Sequence, residues 1–224
     1  MSTPMYTMYE TIMNLPLFKG TSEAQISDFL ERTNLEFISV RAEESLACGG
    51  NPCTDLKFIL HGQASMTIPM HDGNLRLTYI IGANSVLCAN RLFGMDTNYP
   101  ADIVALEDTD LMQLPKWQYL RLLGTDNIFL VNYLNYLSFQ TQYDSSLLRH
   151  YPAGSITEWI TGIRNYNRSH GVSDSTVETT PEFLCALFHT DQATLSTQLE
   201  SLVKSGEITI HISVSGCLSI NISR

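Results

Sequence analysis

TPEFLCALFHTDQATLSTQLESLVKSG, residues 180–206, predicts two short helices joined by a turn. Thr180 can cap the first helix, because a hydroxyl before a helix accepts a hydrogen bond from a free backbone N–H, and Pro181 suits the first helical position. Thr190 or Asp191 can cap the second helix in the same way. The apolar stripe that the second helix buries is predicted to consist of Leu195, Leu199, Leu202 and Val203.

The residues after these two helices predict a two-stranded hairpin. Ser205-Gly206 ends the second helix, because glycine readily adopts the left-handed conformation that closes helices. Apolar and polar residues then alternate over residues 207–212 and again over residues 217–222. The order helix, turn, helix and hairpin predicts a winged helix-turn-helix, which is a DNA-reading fold.

The size and composition of the chain are those of a globular protein. With 224 residues it can bury one large core or two small ones, and we favour two domains. No apolar run is long enough to cross a bilayer. The first residues lack the basic and apolar regions of a secretory signal, so we expect a cytoplasmic protein without a membrane partner.

The five cysteines are scattered and odd in number, which does not fit a secreted disulfide framework. Cys48 and Cys53 are the nearest pair, and a reversible disulfide between them is one interpretation. Two ordinary thiols are the simpler one, because nothing in the sequence around them lowers a thiol pKa. The thiols are too few for an iron–sulfur cluster, and His61 and His71 have no companions at metal-ligand spacing. We therefore expect no metal and no cofactor.

The front of the chain predicts a helix over residues 21–30 and then a series of short strands. The strands are expected at residues 35–40, 45–48, 56–61, 64–70, 75–80, 103–106 and 111–114. Turn-rich segments separate them. Many short strands at even spacing predict an antiparallel β jelly-roll barrel, so the fold class of the whole chain is α+β.

A long helical pattern over residues 126–150 follows a short predicted helix at residues 116–123. Its seam consists of Leu130, Leu134, Leu137, Thr141 and Leu148. This helix carries more apolar and aromatic surface than one barrel can cover, so we expect a homodimer interface along it. Packing wholly within its own chain is the alternative. The predicted domains are a sensor barrel, a dimerisation helix and a winged helix-turn-helix domain, at 1–124, 125–150 and 151–224.

The order of these parts resembles the Crp/Fnr family of transcription regulators. LPLFKG at residues 15–20 and LKFILHGQA at residues 56–64 are similar to the opening and the glycine turn of that family's cyclic-nucleotide-binding barrel. The long helix and the winged helix-turn-helix complete the plan, so the resemblance covers nearly the whole chain. It implies a homodimeric regulator whose barrel senses an effector and whose C-terminal domains bind a palindromic DNA operator.

The chain departs from this family where members bind cyclic AMP. Those members place a Glu on the ribose and an Arg-Ser-Ala triplet at the phosphate, because a cyclic phosphate needs a cation and backbone donors. Here Ala89 replaces the Glu and the triplet reads Tyr99-Pro100-Ala101, while Arg91 is either a substitute cation or a solvent-facing side chain. We expect an unidentified small-molecule effector instead of cyclic AMP. The candidate pocket residues are Cys88, Ala89, Asn90, Arg91, Tyr99, Gln140 and Thr141.

The predicted DNA-reading residues are polar and small rather than basic. By the resemblance they are Gln192, Ala193, Ser196 and Thr197, with Lys204 as a phosphate contact. Gln can read adenine, and Ser or Thr can bond to a base or touch a thymine methyl. Such residues specify sequence but hold phosphate weakly.

The charge of the chain opposes nonspecific attraction to DNA. The formal net charge is −10, and from residue 151 onward four basic side chains stand against seven acidic ones. DNA affinity comes largely from Lys and Arg that neutralise phosphates. An alternative function therefore stays open, a signalling or scaffold dimer that has lost DNA binding and uses the winged domain for protein contacts. No catalytic triad, phosphate loop or dinucleotide motif occurs, so we expect no enzyme.

Overall fold

The structure of the chain is a computed structural model that describes residues 8–149, 154–170, 172–213 and 216–223. The predicted boundary between the long helix and the C-terminal domain, at residues 150–153, falls outside the described residues. Within the described ranges, no helix has both the length and the apolar character that crossing a bilayer requires.

The chain combines helices and strands in a mixed α+β fold. The helices are α1 (Met8–Met13), α2 (Glu23–Arg32), α3 (Lys116–Thr125), α4 (Asn127–Arg149), α5 (Ile156–His170), α6 (Pro181–Leu187) and α7 (Gln192–Lys204). The strands are β1 (Glu36–Val40), β2 (Ser45–Ala47), β3 (Asp55–His61), β4 (Ala64–Met70), β5 (Leu75–Ile81), β6 (Ser85–Leu87), β7 (Ile103–Ala105), β8 (Thr109–Pro115), β9 (Val172–Thr179), β10 (Ile208–Ile212) and β11 (Leu218–Ser223).

The chain divides into two compact units that do not follow the sequence order. Unit 1 consists of Met1–Ala64 and Gly82–Gln140, and unit 2 of Ser65–Ile81 and Thr141–Arg224. The hairpin of β4 and β5 therefore groups with the C-terminal part of the chain. The predicted limits of the three domains stay a prediction.

Unit 1 is a barrel-type antiparallel domain with an aromatic core. One of its sheets has the strand order β1-β8-β3-β6, and β2 pairs with β7. The fully buried ring of Phe18 lies 5.1 Å from that of Phe29, 5.6 Å from Phe58 and 5.8 Å from Phe129, between centroids. Because Phe29 belongs to α2 and Phe129 to α4, this cluster fastens both helices to β3.

The turn between β3 and β4 requires the glycine of the LKFILHGQA motif. Gly62 has a φ of +89°, a conformation that L-residues with side chains rarely adopt. A Cβ atom at this position would lie 2.7 Å from the carbonyl oxygen of Asp108 and 2.8 Å from the Cα of Thr109. The close approach of the strand backbones is therefore possible only with glycine.

Unit 2 combines helices α5, α6 and α7 with an antiparallel sheet in the order β10-β11-β9-β5-β4. Four apolar residues of α5 at helical spacing form its buried face: Ile156, Trp159, Ile160 and Ile163. The hydroxyl of Ser175 in β9 donates to the side-chain oxygen of Asn167 in α5 at 2.8 Å, and both residues are buried. This hydrogen bond satisfies polar groups inside the core of the unit.

The structure confirms most of the elements expected near residues 180–206. Thr180 caps α6 by accepting from the N–H of Phe183, and Asp191, not Thr190, caps α7 by accepting from the N–H of Thr194. Including Val203 in the buried stripe was wrong, because this residue is 44% exposed. Helices α1 and α5 and strands β6 and β9 were not predicted from the sequence.

Candidate functional site

Two regions bear on function, and the first is the segment of unit 1 that corresponds to the cyclic AMP site of the resembled family. After β6, Cys88 takes a left-handed conformation with a φ of 46°, and residues Ala89–Arg91 form a single 3-10 turn. Ala89 is completely buried and Asn90 is exposed. Residues 88–101 are called the cassette segment below.

Backbone hydrogen bonds tie the cassette segment to the loop before β3. The carbonyl oxygen of Tyr99 accepts from the N–H of Gly50 at 2.9 Å, and the N–H of Tyr99 donates to the carbonyl of Asn51 at 2.9 Å. The N–H of Cys53 donates to the carbonyl of Thr97 at 2.7 Å. The path of the segment is thus fixed by the backbone of a neighbouring loop.

Side chains of the protein itself cover the cassette segment. The hydroxyl of Tyr133 in α4 donates to the carbonyl oxygen of Ala89 at 3.0 Å. The Tyr133 ring contacts Phe93 and Tyr119 edge to face, with centroids 5.8 and 5.5 Å away. Tyr99 is only 5% exposed. Ala89 and Tyr99, two of the predicted pocket residues, are therefore packed core residues in this structure.

The charged side chains near the cassette segment already have partners. Arg91 forms an ion pair with Asp96, and its side chain is 32% exposed. The ammonium of Lys57 donates to the carbonyl of Leu46 at 2.5 Å and lies 5.7 Å from the centre of the Tyr99 ring. Lys57 was not singled out from the sequence, although a lysine between Leu56 and Phe58 in a buried strand is an unusual pattern.

Two thiols of this region, Cys53 and Cys88, have a raised pKa. Burial raises the pKa of Cys88 to about 12, with the neighbouring Cys53 as a second cause. Burial also raises the pKa of Cys53. Cys53 is buried and Cys48 is exposed, and both are free, so the structure shows two thiols and no disulfide between them. No cluster of three or more metal-binding side chains lies in the described part of the chain.

The other predicted pocket residues lie on α4. Gln140 is half-buried and its amide donates to the hydroxyl of Tyr136 at 3.2 Å, while Thr141 is exposed. These positions were carried over from the family resemblance. The structure therefore gives Ala89 and Tyr99 a packing role and leaves a ligand role for Gln140 and Thr141 as a prediction.

Helix α4 has one apolar face in its own unit and another that is exposed. Phe129 and Tyr133 are buried against unit 1. Of the predicted seam residues, Leu130 is 36% and Leu134 52% exposed, Leu137 is half-buried and Thr141 is exposed. The side chain of Leu148 falls outside the described residues. Val131 and Phe139 are exposed as well, further around the helix from the predicted seam.

The second region is the surface of α7 in unit 2. All five residues predicted to meet DNA are exposed: Gln192, Ala193, Ser196, Thr197 and Lys204. Leu195, Leu199 and Leu202 are buried on the opposite side of the helix. The hydroxyl of Thr197 donates to the backbone carbonyl of Ala193 at 2.9 Å, so it is partly satisfied within the helix.

A groove of about 450 Å³ lies between α7 and strand β10. Its lining consists of Pro181, Gln192, Leu195, Ser196, Leu199, Glu200, Val203, Lys204, Ile210, Ile212 and Leu218. Ile212 is 70% exposed on its rim. Three of the predicted DNA-contacting residues, Gln192, Ser196 and Lys204, thus border an apolar groove that also explains the exposure of Val203.

Two of the basic side chains of this region are paired with carboxylates. The guanidinium of Arg164 lies 3.3 Å from the carboxylate of Glu207, and the ammonium of Lys204 lies 3.9 Å from that of Glu200. The second pair is fully on the surface and breaks easily, because exposed ion pairs are weak. Positive charge for DNA phosphates is therefore scarce, as the composition predicts.

The family profile of the cyclic nucleotide-binding domain matches residues 37–126. Among solved structures, the catabolite activator protein of Thermus thermophilus is similar at a TM-score of 0.53 and 18% identity, over 93% of both chains. The sensor domain of the transcriptional regulator DNR from Pseudomonas aeruginosa is similar at a TM-score of 0.50 and 17% identity, over 58% of this chain and 85% of that one. No curated protein sequence matches. The chain thus contains a segment matched by the cyclic nucleotide-binding domain family, within a fold similar to that of solved transcription regulators.

Proposed function

We propose that this protein is a homodimeric DNA-binding transcription regulator of the Crp/Fnr type. The observation that carries the proposal is the amphipathic division of α7, which exposes Gln192, Ser196 and Thr197 while its leucines are buried. A recognition helix needs such a polar face, because base edges are read by side chains that are free to enter the major groove.

The order of elements in unit 2 supports a winged helix-turn-helix. Helix α5 and strand β9 precede α6 and α7, and the hairpin of β10 and β11 follows them and pairs with β9. The likeness to the catabolite activator protein extends over 93% of the chain, so it includes this part of the fold. We infer that α7 is the reading helix and that the hairpin is the wing.

The exposed face of α4 supports dimerisation. Leu130, Val131 and Leu134 expose aliphatic surface on α4, beside the face on which Phe129 and Tyr133 are buried. Burying this face against a second copy would remove it from water and would place two reading helices in one molecule. The dimer would then recognise a palindromic operator.

We infer that the barrel senses an effector other than cyclic AMP. Ala89 and Tyr99 are buried by Tyr133 and by the loop that precedes β3, and neither side chain can replace the family's acid or cation. Calorimetric titration with cyclic AMP and cyclic GMP should therefore give no binding heat. A cyclic-AMP-binding protein of the same family is the positive control, and saturable binding of one nucleotide per chain would contradict this inference.

Replacing the reading residues should weaken DNA binding in a sequence-dependent way. Gln192→Ala is expected to lower operator affinity about tenfold and to relax the preference at one base pair, because an amide can bond to adenine through two hydrogen bonds. Ser201→Ala is the matched control, since Ser201 is exposed on α7 away from Gln192. Fluorescence anisotropy with labelled duplexes at several salt concentrations gives the affinities, and equal values for both variants would exclude Gln192 from readout.

A second candidate function is favoured by the apolar groove beside α7. Val203 and Ile212 expose aliphatic surface where a DNA-binding module would gain from basic side chains. In this case the protein is a signalling or scaffold dimer whose C-terminal module binds other proteins. Absence of DNA binding at low salt, together with an intact dimer, would select this candidate.

A further inference from the structure

The hairpin of β4 and β5 extends the sheet of the C-terminal part of the chain. It lies inside the segment 37–126 that matches the cyclic nucleotide-binding domain family, yet β5 pairs antiparallel with β9. The opposed residues include Arg76 with Glu178, Leu77 with Val177 and Thr78 with Thr176. A piece of the predicted sensor is therefore a structural part of the predicted DNA-binding unit.

Polar side chains reinforce both ends of this strand pairing. The hydroxyl of Thr179 donates to the carbonyl of Asn74 at 2.9 Å, and that of Ser173 donates to the carbonyl of Ile80 at 3.4 Å. Between them, the guanidinium of Arg76 lies 3.9 Å from the carboxylate of Glu178. The two strands therefore pair in one defined register.

The hairpin also contacts helices on either side of β9. The ring of Tyr79 in β5 lies 5.3 Å from that of Tyr166 in α5. At the tip of the hairpin, the ring of His71 lies 5.7 Å from that of Phe183 in α6. Helix α6 directly precedes the reading helix, so the hairpin reaches the elements that carry α7.

Without the hairpin, β9 would be an edge strand. Its other side is paired with β11, and Val177 is fully buried opposite Leu77, which is 5% exposed. An edge of eight residues would expose a row of unpaired backbone N–H and C=O groups. The strand pairing therefore completes the sheet, whose strand β10 lies beside α7.

We propose that the β4–β5 hairpin is a strand latch that keeps the C-terminal module in its DNA-binding form, because its pairing with β9 completes the sheet of unit 2. The proposal rests on the proposed function. A module whose sheet is complete is ordered before it meets DNA, so it loses less conformational entropy on binding than a module whose sheet is open at β9. Pairing therefore favours DNA binding, and detachment of the hairpin weakens it.

A disulfide between β5 and β9 tests whether holding the hairpin on β9 raises DNA affinity. Thr78 and Thr176 are directly opposed and half-buried, a placement that suits a bridge between antiparallel strands. In Thr78→Cys/Thr176→Cys, oxidation should slow hydrogen exchange of the β9 amides and raise DNA affinity about threefold. Reduction should reverse both effects. The single variants control for oxidation of the native cysteines.

A charge reversal tests whether weakening the pairing of β5 with β9 lowers DNA affinity. Arg76→Glu places like charges opposite each other and should speed exchange in β9 and lower DNA affinity about fivefold. Arg76→Glu/Glu178→Arg restores the attraction at the wild-type net charge and should restore both readouts. Arg32→Glu makes the same change in net charge and breaks an exposed ion pair with Asp28 in α2, so it should alter neither.

The two readouts separate failure of the latch from failure of the proposed function. Unchanged exchange in β9 after bridging and after charge reversal would overturn the latch. A change in exchange with unchanged DNA affinity would overturn its control of DNA binding. Absence of DNA binding by the wild-type protein, with exchange responding as expected, would refute the proposed function and leave the latch as the element that orders the C-terminal module.

Discussion

Leu134→Asp is expected to leave the protein monomeric at concentrations at which the wild type is a dimer. Leu134 is 52% exposed on α4, about 100° around the helix from the buried Tyr133, and belongs to the predicted seam. A carboxylate there would have to be buried without a partner when two copies meet, which costs several kcal/mol. The dimer dissociation constant should therefore rise at least about a hundredfold. Sedimentation over a concentration series measures this change.

Asn135→Asp is the matched control for the dimer prediction. Asn135 is exposed on the same helix but lies outside the predicted seam, so the same charge should leave the dimer intact. The Leu134 variant should also lose DNA affinity, because two linked modules bind a palindrome far more tightly than one module does. A wild-type monomer at micromolar concentration would contradict dimerisation through α4, and so would equal behaviour of the two variants.

Gly62→Ala should destabilise the protein far more than Gly73→Ala. Both glycines have a positive φ, of +89° and +86°, so alanine strains the backbone at either position by about 1 kcal/mol. Only at Gly62 would the new Cβ also meet the backbone of Asp108 and Thr109, within 2.8 Å. Strain and overpacking together should cost about 3 kcal/mol or more.

Urea unfolding of the two glycine variants gives the comparison directly. Gly73→Ala controls for the conformational strain, since no other atom lies within 4 Å of its added Cβ. A lower midpoint at unchanged slope for Gly62→Ala would show a loss of stability. Equal losses for the two variants would mean that the β3–β4 turn relaxes and that the close approach to residues 108 and 109 is not required.

The helices at residues 180–206 were predictable because local signals specify them. A cap residue, a proline at the first turn and a leucine repeat each act within one or two helical turns. Strand β9 was missed because its buried face includes Ser175, which is accommodated only by a hydrogen bond to Asn167. No local apolar alternation marks such a strand.

Contacts between residues that are distant in the sequence could not be predicted from local patterns. The hydrogen bond from Thr179 to Asn74 joins residues 105 positions apart, and nothing in either stretch identifies the other. The burial of the cassette segment was not predictable for the same reason, because it depends on residues that are distant in the sequence. The absence of a ribose acceptor at Ala89 was visible in the sequence, but its burial depends on Tyr133 from another element. Val203 was misplaced because the apolar groove beside it forms only when β10 packs near α7.

The acidic C-terminal part limits how strongly the protein can attract DNA phosphates. Arg164 and Lys204 are each paired with a carboxylate, so phosphate attraction is small and sequence-specific contacts must carry much of the affinity. Binding should then be weak for each module and should depend on the dimer and on an ordered C-terminal module. The exposed face of α4 would provide the dimer, and the strand latch would keep the C-terminal module ordered.

Selection of bound sequences from a random duplex DNA library by the purified wild-type protein at low salt tests the central claim most directly. A dimeric regulator of this architecture should enrich an inverted repeat whose half-sites are about 10 base pairs apart, centre to centre, or a multiple of that spacing. Failure to enrich any sequence above the starting library, with a dimer confirmed in the same preparation, would contradict DNA binding and would leave the protein-binding alternative.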